Sequence, residues 1–293
     1  MAIDLYTQHF GFRTHPFSLL PDPGFLFWSQ IHGRAYAVLE YGLATSAPLT
    51  VVTGEVGTGK TTLIQALLYE VGQDITLGLI SNAQGDRGDL LRWVLNALDV
   101  PLPAQTDYVS LFQHFQNFCI DEYAAGRHVV LVIDEAQNLG PEMLEELRML
   151  TNINSGTDVV LQIILAGQPE LRELITRPSL RQFAQRVTAT CHIKPFDLHD
   201  TIAYIRHRLV VAGGSGTEFS AAAMRGIYEK ADGIPRMINK LCDLSLVYGA
   251  TAGLKVVEIE TVREVLEDGL VLTSYKAPLF LTNPIDQSEK AAQ

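Results

Sequence analysis

Short apolar runs alternate with longer segments of helical periodicity along the first two thirds of the chain. The runs are bounded by turn residues, and they cover 49–53, 75–81, 129–133, 159–166 and, more weakly, 188–193. Strands that are apolar throughout and separated by helical segments are typical of a parallel sheet covered on both faces. The pattern therefore predicts a three-layer α/β domain.

From residue 195 onward no further strong strand run follows, and helical patterns with recognisable starts take over. Asp200 is suited to cap a helix that runs to about Val211, Ser220 to cap a second, and Pro235 to occupy the first turn of a third. A fourth short helix is predicted over 259–268. The sequence thus predicts a helical lid behind the α/β core.

These changes of pattern divide the chain into four segments. Residues 1–48 form an aromatic and proline-rich lead-in, which we expect to pack on the core. The core covers 49–194 and the lid 195–270. Residues 271–293 contain two prolines and little periodicity, which predicts a loosely ordered tail.

Composition excludes several classes of protein. The 293 residues include 22 Lys+Arg and 33 Asp+Glu, a net charge of −11, and 47% are hydrophobic. This balance excludes a disordered chain and a general basic coat for nucleic acid. No apolar run approaches the roughly 20 residues of a membrane-spanning helix, and the start lacks a secretory signal. With three widely spaced cysteines, we expect a cytoplasmic protein that does not cross a membrane unaided.

One motif decides the chemistry. Residues 54–61 match G-x-x-x-x-G-K-[ST], directly after a predicted strand and before a helical pattern. The glycines allow backbone N–H groups to face a β-phosphate, Lys60 neutralises charge on the β- and γ-phosphates, and Thr61 ligates Mg²⁺. The nucleotide-binding residues predicted here are Gly54, Glu55, Val56, Gly57, Thr58, Gly59, Lys60, Thr61 and Thr62.

Two carboxylates end the apolar run 129–133. Asp134 is expected to bind the nucleotide's Mg²⁺ through water, and Glu135 to orient and polarise the attacking water. An acidic pair that merely starts a helix is the alternative, since Asp and Glu favour first turns. Together with the loop, the pair predicts a hydrolase of nucleoside triphosphates that uses ATP and Mg²⁺.

Four polar residues are candidates for sensing the γ-phosphate or completing the site. Gln168 follows the strand run 159–166, although a plain turn glutamine would fit there too. Arg181 and Arg186 flank a short helical stretch, and either could serve as an arginine finger toward a neighbouring subunit; we favour Arg186. Arg236, just after Pro235, would close onto the nucleotide from the lid, unless it is an ordinary surface arginine.

As a set, these motifs resemble the AAA+ ATPases, and most of all the general secretion pathway protein A family with its pilus-biogenesis and exopolysaccharide-associated relatives. The resemblance covers about residues 5–270. It rests on Phe10-Gly-Phe12, Pro16-Phe17, Pro21-Asp-Pro23 and His32, on the loop 53–62, and on the segments 133–137, 167–171 and 233–239. It implies an αβα core with a helical lid, ATP between them, Gln168 as sensor 1, Arg236 as sensor 2, and assembly into a ring or filament.

The resemblance also frames the candidate functions. The first is an ATPase whose intersubunit cycle assembles or remodels a protein partner in a secretion, pilus or exopolysaccharide export system. Longer secretion members carry a membrane span and a peptidoglycan-binding region that we do not find here. A peripheral position at the inner membrane would therefore need a partner.

A DNA-targeting regulator of the transposition type is the alternative, for which Arg206 and Arg208 beside His207 are the candidate cations. A third possibility, a nucleotide-gated scaffold, is disfavoured by the catalytic carboxylate Glu135. The aromatics of 10–28 fit either core packing or a wall of the adenine pocket.

Overall fold

The computed structural model describes residues 5–269, except 21, 71, 73, 82–88, 106 and 157. The tail predicted over 271–293 lies outside these residues. The described strands are β1 (Leu49–Gly54), β2 (Ile75–Ser81), β3 (His128–Asp134), β4 (Asn154–Ser155), β5 (Asp158–Val159), β6 (Leu161–Gly167) and β7 (Val187–Ile193). The described helices are α1 (Leu5–Phe10), α2 (Gln30–Ala44), α3 (Lys60–Glu70), α4 (Asp89–Ala97), α5 (Tyr108–Ala124), α6 (Pro141–Leu150), α7 (Pro169–Ile175), α8 (Arg181–Ala184), α9 (Leu198–Val211), α10 (Ala221–Ala231), α11 (Pro235–Thr251) and α12 (Ile259–Glu267).

Five strands form one parallel sheet in the order β2-β3-β6-β1-β7. The central strands β1 and β6 are buried along their whole length, as their apolar runs predict. One predicted strand is divided: Val159 pairs with Asn154 in the small β4-β5 hairpin, and β6 begins only at Leu161. The sheet order brings the ends of β1, β3 and β6 together at one edge.

Helices cover both faces of the sheet. On one face α4, α5 and α6 contribute a large buried cluster that includes Leu95, Phe115 and Leu144. On the other face α2 and α3 contribute a smaller cluster that includes Leu39 and Leu63. The prediction of a three-layer αβα architecture is therefore confirmed.

The lid consists of α9 to α12, packed around their own buried cluster. Ser220 caps α10 and Pro235 occupies the first turn of α11, as predicted. The start of α9 differs from the prediction: Asp197, not Asp200, is the capping residue, because Asp197 has extended backbone and its side chain accepts the N–H of Asp200 at 2.7 Å. None of the described helices is long and apolar enough to cross a lipid bilayer.

The lead-in contacts both the core and the lid. Helix α2 packs on the sheet, whereas Tyr6, Phe12 and Phe17 are buried in the cluster of the lid helices. The backbone N–H of Arg13 also donates to the carbonyl of Ala212, at the end of α9, over 2.7 Å. The expectation that the lead-in packs on the core is wrong for this aromatic part, because the apolar faces of the lid helices are what its rings cover.

Candidate functional site

A cavity of about 390 Å³ lies between the sheet edge, the lead-in and the lid. This is within the size range of small-molecule sites. One end is formed by the loop between β1 and α3, and the other by apolar and aromatic side chains. The described residues that line the cavity are Ser18, Leu19, Leu20, Asp22, Phe25, Leu26, Phe27, His32, Val56, Gly57, Thr58, Gly59, Lys60, Thr61, Thr62, Glu135, Phe196, Tyr204, Arg208, Pro235, Arg236 and Asn239.

The loop has the backbone geometry of an anion cradle. Gly57 and Gly59 both have positive φ, 83° and 97°, which only glycine adopts without strain. Lys60 is the first residue of α3, and its buried Nζ donates to the carbonyls of Gly54 and Glu55 at 2.8 and 3.0 Å. Burial lowers the pKa of Lys60, while the nearby carboxylates of Glu135 and Asp134 raise it. The ammonium therefore lies inside the curve of the loop, beside acidic groups.

Gly54 and Glu55 do not line the cavity but supply these two carbonyls. Thr58 is completely buried, and its hydroxyl donates to the Glu55 carbonyl at 2.9 Å. His32 links the loop to the start of α2. Its Nε2 forms a hydrogen bond with the Thr58 carbonyl at 2.9 Å, and its Nδ1 forms one with the hydroxyl of Ser29 at 2.8 Å. The loop is thus held from both sides by buried hydrogen bonds.

A pair of oxygen ligands lies next to the loop. The hydroxyl of Thr61 donates to Oδ2 of Asp134 at 2.7 Å, which joins the start of α3 to the end of β3. A hydroxyl and a carboxylate in contact, both oxygen donors, form the kind of partial shell through which Mg²⁺ is held together with water and phosphate. The residues present therefore fit the Mg²⁺ of a bound nucleotide.

Glu135 lies at the same end of the cavity in an unusual backbone conformation. Its φ and ψ of 52° and 36° are left-handed, which costs about 1 to 3 kcal/mol in a residue other than glycine. Two amides, from Gln137 and Gln168, donate to the same carboxylate oxygen, Oε2. Partial burial raises the pKa of Glu135, but these hydrogen bonds and the charge of Lys60 outweigh it and hold the pKa below its ordinary value. The carboxylate is ionised at neutral pH.

Gln168 occupies the position predicted for it, between β6 and α7, but its side chain is directed to Glu135. Its Nε2 lies 3.2 Å from Oε2 of Glu135, and Gln168 is not among the residues that line the cavity. A direct role in sensing the γ-phosphate stays a prediction. What the structure adds is a contact through which Gln168 would act on Glu135.

Arg236 brings the lid to the loop. It is the second residue of α11, it lines the cavity, and its backbone N–H donates to the carbonyl of Gly57 at 3.2 Å. Just before it, Gly233 lies so close to the backbone of Phe196 that a Cβ would sit 1.9 Å from the carbonyl oxygen. The tight Gly-Ile-Pro start of α11 therefore positions Arg236 over the loop.

The aromatic residues of the lead-in serve two purposes. Phe25 and Phe27 line the cavity together with Phe196 and Tyr204, whereas Phe10 and Phe12 belong to the packing of the lid. Packing therefore accounts for Phe10 and Phe12, while the alternative of a wall of the adenine pocket stays a prediction for Phe25 and Phe27. The apolar end of the cavity has the character that a nucleobase requires.

Arg208 is the clearest departure from the sequence analysis. Only 6% exposed, its guanidinium bonds to the carbonyl of Pro16 and the hydroxyl of Tyr204 at 2.5 and 2.9 Å and lies over the ring of Phe25. A buried cation cannot face DNA, so Arg208 is no longer a candidate cation for the DNA-targeting alternative. Its neighbour Arg206 is exposed.

Arg186 and Arg181 both lie on the surface, away from the cavity of their own chain. Arg186 precedes β7, and its guanidinium donates to Oδ1 of Asn152 at 2.5 Å. Arg181 begins α8 and is exposed. Neither is among the residues that line the cavity, and the role of either as an arginine finger toward a neighbouring subunit stays a prediction.

Two supporting residues were not assigned a role from the sequence, and a third was assigned a different one. Gln137 holds Glu135, and Asn239 accepts a hydrogen bond from Tyr204 at 2.8 Å. Arg208, a candidate for contact with DNA, instead joins the lid to the lead-in. Tyr204 and Arg208 lie four residues apart on α9, a spacing from which the contact between their side chains, though not the burial of Arg208, could be predicted.

Comparison with known proteins agrees with this geometry. Residues 44–175 match the family model described as "AAA domain". General secretion pathway protein A of Aeromonas hydrophila is 39% identical over 249 residues, which are 85% of this chain and 46% of that protein. The chain thus spans about half the length of this curated relative.

Solved structures share the fold at low identity. Cdc6p from Pyrobaculum aerophilum superposes with a TM-score of 0.68 at 16% identity, covering 86% of this chain and 70% of its own. Drosophila ORC bound to DNA gives 0.68 at 14% identity, with 92% and 66% covered. The Aeropyrum pernix ORC2 protein in ADPNP-ADP complexes gives 0.60 at 15%, with 84% and 68% covered. The chain therefore belongs to the AAA+ family of P-loop ATPases and is a relative of general secretion pathway protein A.

Proposed function

We propose that this protein binds Mg·ATP between its core and lid and hydrolyses it at a site completed by a second copy of the chain. The cycle would drive assembly or remodelling of a protein partner in a secretion, pilus or exopolysaccharide export system. The observation that carries the proposal is the convergence of Lys60, the Thr61–Asp134 pair and Glu135 at one end of the cavity.

The division of labour follows from these positions. Backbone N–H groups of the loop and the Lys60 ammonium would bind the phosphates, while Phe25 and Phe27 would cover the base. Mg²⁺, held by Thr61 directly and by Asp134 through water, would neutralise charge on the β- and γ-phosphate oxygens. Glu135 would orient and polarise the attacking water, for which an ionised carboxylate is required.

The site is incomplete within one chain, because Arg186 and Arg181 lie away from the cavity. A guanidinium supplied by a neighbouring subunit would stabilise the charge of the loose transition state of phosphoryl transfer. This arrangement makes hydrolysis depend on assembly, so we infer a ring or filament of this chain as the active form.

The export role rests on the likeness to general secretion pathway protein A. The DNA-targeting alternative has lost one of its two candidate cations, since Arg208 is buried. With a net charge of −11, the remaining exposed Arg206 is a weak basis for binding to a polyanion. The protein-remodelling function is therefore preferred.

Light scattering of the Glu135→Gln protein tests the proposal. This variant should keep Mg·ATP bound but not hydrolyse it, so the assembled state should accumulate on addition of Mg·ATP. Glu173→Gln, at an exposed glutamate on α7 away from the cavity, is the matched control and should turn over ATP like the wild type. Double-stranded DNA is then added at about 150 mM salt to suppress loose charge binding.

Assembly with Mg·ATP that is indifferent to DNA would support the proposal. Assembly that requires DNA would contradict the proposal and support the DNA-targeting alternative. Turnover by Glu135→Gln equal to that of Glu173→Gln would contradict the catalytic assignment itself.

A further inference from the structure

Glu135, Gln137 and Gln168 are joined in a closed ring of hydrogen bonds. Gln137 Nε2 donates to Oε2 of Glu135 at 2.5 Å, and Gln168 Nε2 donates to the same oxygen at 3.2 Å. The ring is closed on the other side, where the backbone N–H of Gln168 donates to Oε1 of Gln137 at 3.0 Å. The amide of Gln137 therefore connects the carboxylate to the backbone at the start of α7.

The amide of Gln137 lies close to the backbone at the end of β6. A Cβ on Gly167 would lie 2.9 Å from Oε1 of Gln137 and 2.7 Å from Cδ2 of Leu171, so the glycine before Gln168 lets the amide and Leu171 approach the strand end without displacement. Gln137 itself belongs to a short 3-10 turn, Ala136–Asn138, that follows β3. Both amide contacts fall on one oxygen of Glu135, which leaves Oε1 for another partner.

We propose that Gln137 is a positioning residue for hydrolysis, which fixes the carboxylate of Glu135 toward the cavity and couples its orientation to Gln168. This inference rests on the proposed ATPase function and extends it to a residue that does not itself line the cavity. A shift of the junction between β6 and α7 would move the amide of Gln137, and with it the carboxylate. The position of the Glu135 carboxylate would then depend on the position of Gln168, the residue expected to sense the γ-phosphate.

The left-handed backbone of Glu135 strengthens the argument. A strained conformation persists only where the surroundings hold it, and such strain is concentrated at functional sites. Within the described residues the hydrogen bonds of the Glu135 side chain come from the two amides, and Glu135 lines the cavity whereas Gln137 and Gln168 are not among its lining residues. Without Gln137, the carboxylate would keep only the longer of its two contacts.

The test compares three single variants of the 293-residue chain. Gln137→Met removes both hydrogen bonds of the amide at nearly constant volume, and Gln137→Glu replaces the donor by a second carboxylate. Gln113→Met is the control, because Gln113 is an exposed glutamine on α5 whose amide bonds to Asn117 far from the cavity. Turnover and the dissociation constant of Mg·ATP are measured for each.

Gln137→Met should lower kcat by about 10- to 100-fold, since misplacement of a catalytic group has costs of this size, and should change the Mg·ATP dissociation constant by less than about twofold. Gln137→Glu places a second carboxylate beside Glu135, so repulsion between the two charges should displace the Glu135 carboxylate and lower kcat at least as much. A role in packing alone would not separate kcat from the affinity for Mg·ATP in this way.

A second measurement does not depend on turnover. Carbon-13 NMR of protein labelled at the glutamate carboxyl carbon follows the hydrogen bonding of the Glu135 carboxylate, with its resonance identified by its absence in Glu135→Gln. We expect this resonance to shift in Gln137→Met and to keep its wild-type position in Gln113→Met. An equal chemical shift in these two variants, or an equal kcat, would overturn the positioning role. Those results would leave the ATPase function standing, which fails separately if Glu135→Gln turns over at the wild-type rate.

Discussion

The backbone N–H of Arg236 donates to the carbonyl oxygen of Gly57, over a distance of 3.2 Å. The first turn of a lid helix is therefore in direct contact with the loop that would hold the phosphates. A Cβ added to Gly57 would lie 2.5 Å from the Cβ of Arg236. Movement of the lid and the shape of the loop are thus physically coupled at these two residues.

Gly57→Ala should disrupt this contact. The substitution strains a backbone at φ 83° and also collides with Arg236, whereas Gly126→Ala imposes a similar strain at φ 77° with nothing within 4 Å. Gly126→Ala should cost about 1 kcal/mol of the free energy of unfolding and leave ATP affinity unchanged. Gly57→Ala should cost more and lose measurable binding of Mg·ATP. Urea denaturation and titration with a fluorescent ATP analogue measure the two effects, and equal affinities would refute the coupling.

Arg186→Ala should lower kcat without weakening the binding of ATP. Arginine fingers are typically worth about 10³-fold or more in turnover. Arg181→Ala is the matched control on the same surface, and it should retain most of the activity. The Lys60→Ala protein should bind no nucleotide. In a mixture with Arg186→Ala, however, its intact Arg186 can complete the nucleotide site of a neighbouring Arg186→Ala subunit. Partial recovery of turnover on mixing is expected, and activity that stays flat at every ratio would count against a shared site.

Arg208→Ala should destabilise the protein. It leaves the carbonyl of Pro16 and the hydroxyl of Tyr204 without their charged donor and removes the packing on Phe25, a loss of about 2 to 4 kcal/mol. Arg206→Ala, two residues away and exposed, should be within about 0.5 kcal/mol of wild type. Thermal denaturation distinguishes the two. If both variants instead melt like wild type and weaken binding to DNA, the assignment of Arg208 as a structural cation is wrong.

His32 should make stability depend on pH in the acidic range. Burial lowers the pKa of His32 in the folded protein, although its bond to the Thr58 carbonyl and the charge of Asp200 oppose this. The ordinary pKa of histidine is about 6.5. Below that pH the unfolded chain binds a proton that the folded chain does not bind, so the free energy of unfolding decreases as the pH is lowered. His32→Gln keeps a donor and cannot titrate. Wild type should lose more unfolding free energy than His32→Gln between pH 7.5 and 5.5, and parallel losses would contradict this role.

Local sequence patterns were sufficient to predict the main strands and helices, but they were insufficient to predict some of the contacts between them. The strands β1, β3 and β6 were predictable because buried strands have no polar face, and the cap at Ser220 because its chemistry is local. The burial of Arg208 depends on carbonyls about 190 residues away in the chain, and no local pattern specifies such a partner. Gln168 was found as a strand-end residue, but its contact with Glu135 requires the order of strands in the sheet.

The aromatic segment at the start of the chain is buried by helices that come near the end of the described residues. Tyr6 and Phe12 share one cluster with Tyr204 and Leu246, so these side chains are synthesised long before their cover exists. At about 5 to 20 residues per second, the ribosome needs at least about 10 s to make the intervening chain. During that interval the nascent protein presents an uncovered apolar surface. A chaperone that binds aromatic segments would have its best opportunity then, and an expressed fragment that ends before α9 should aggregate.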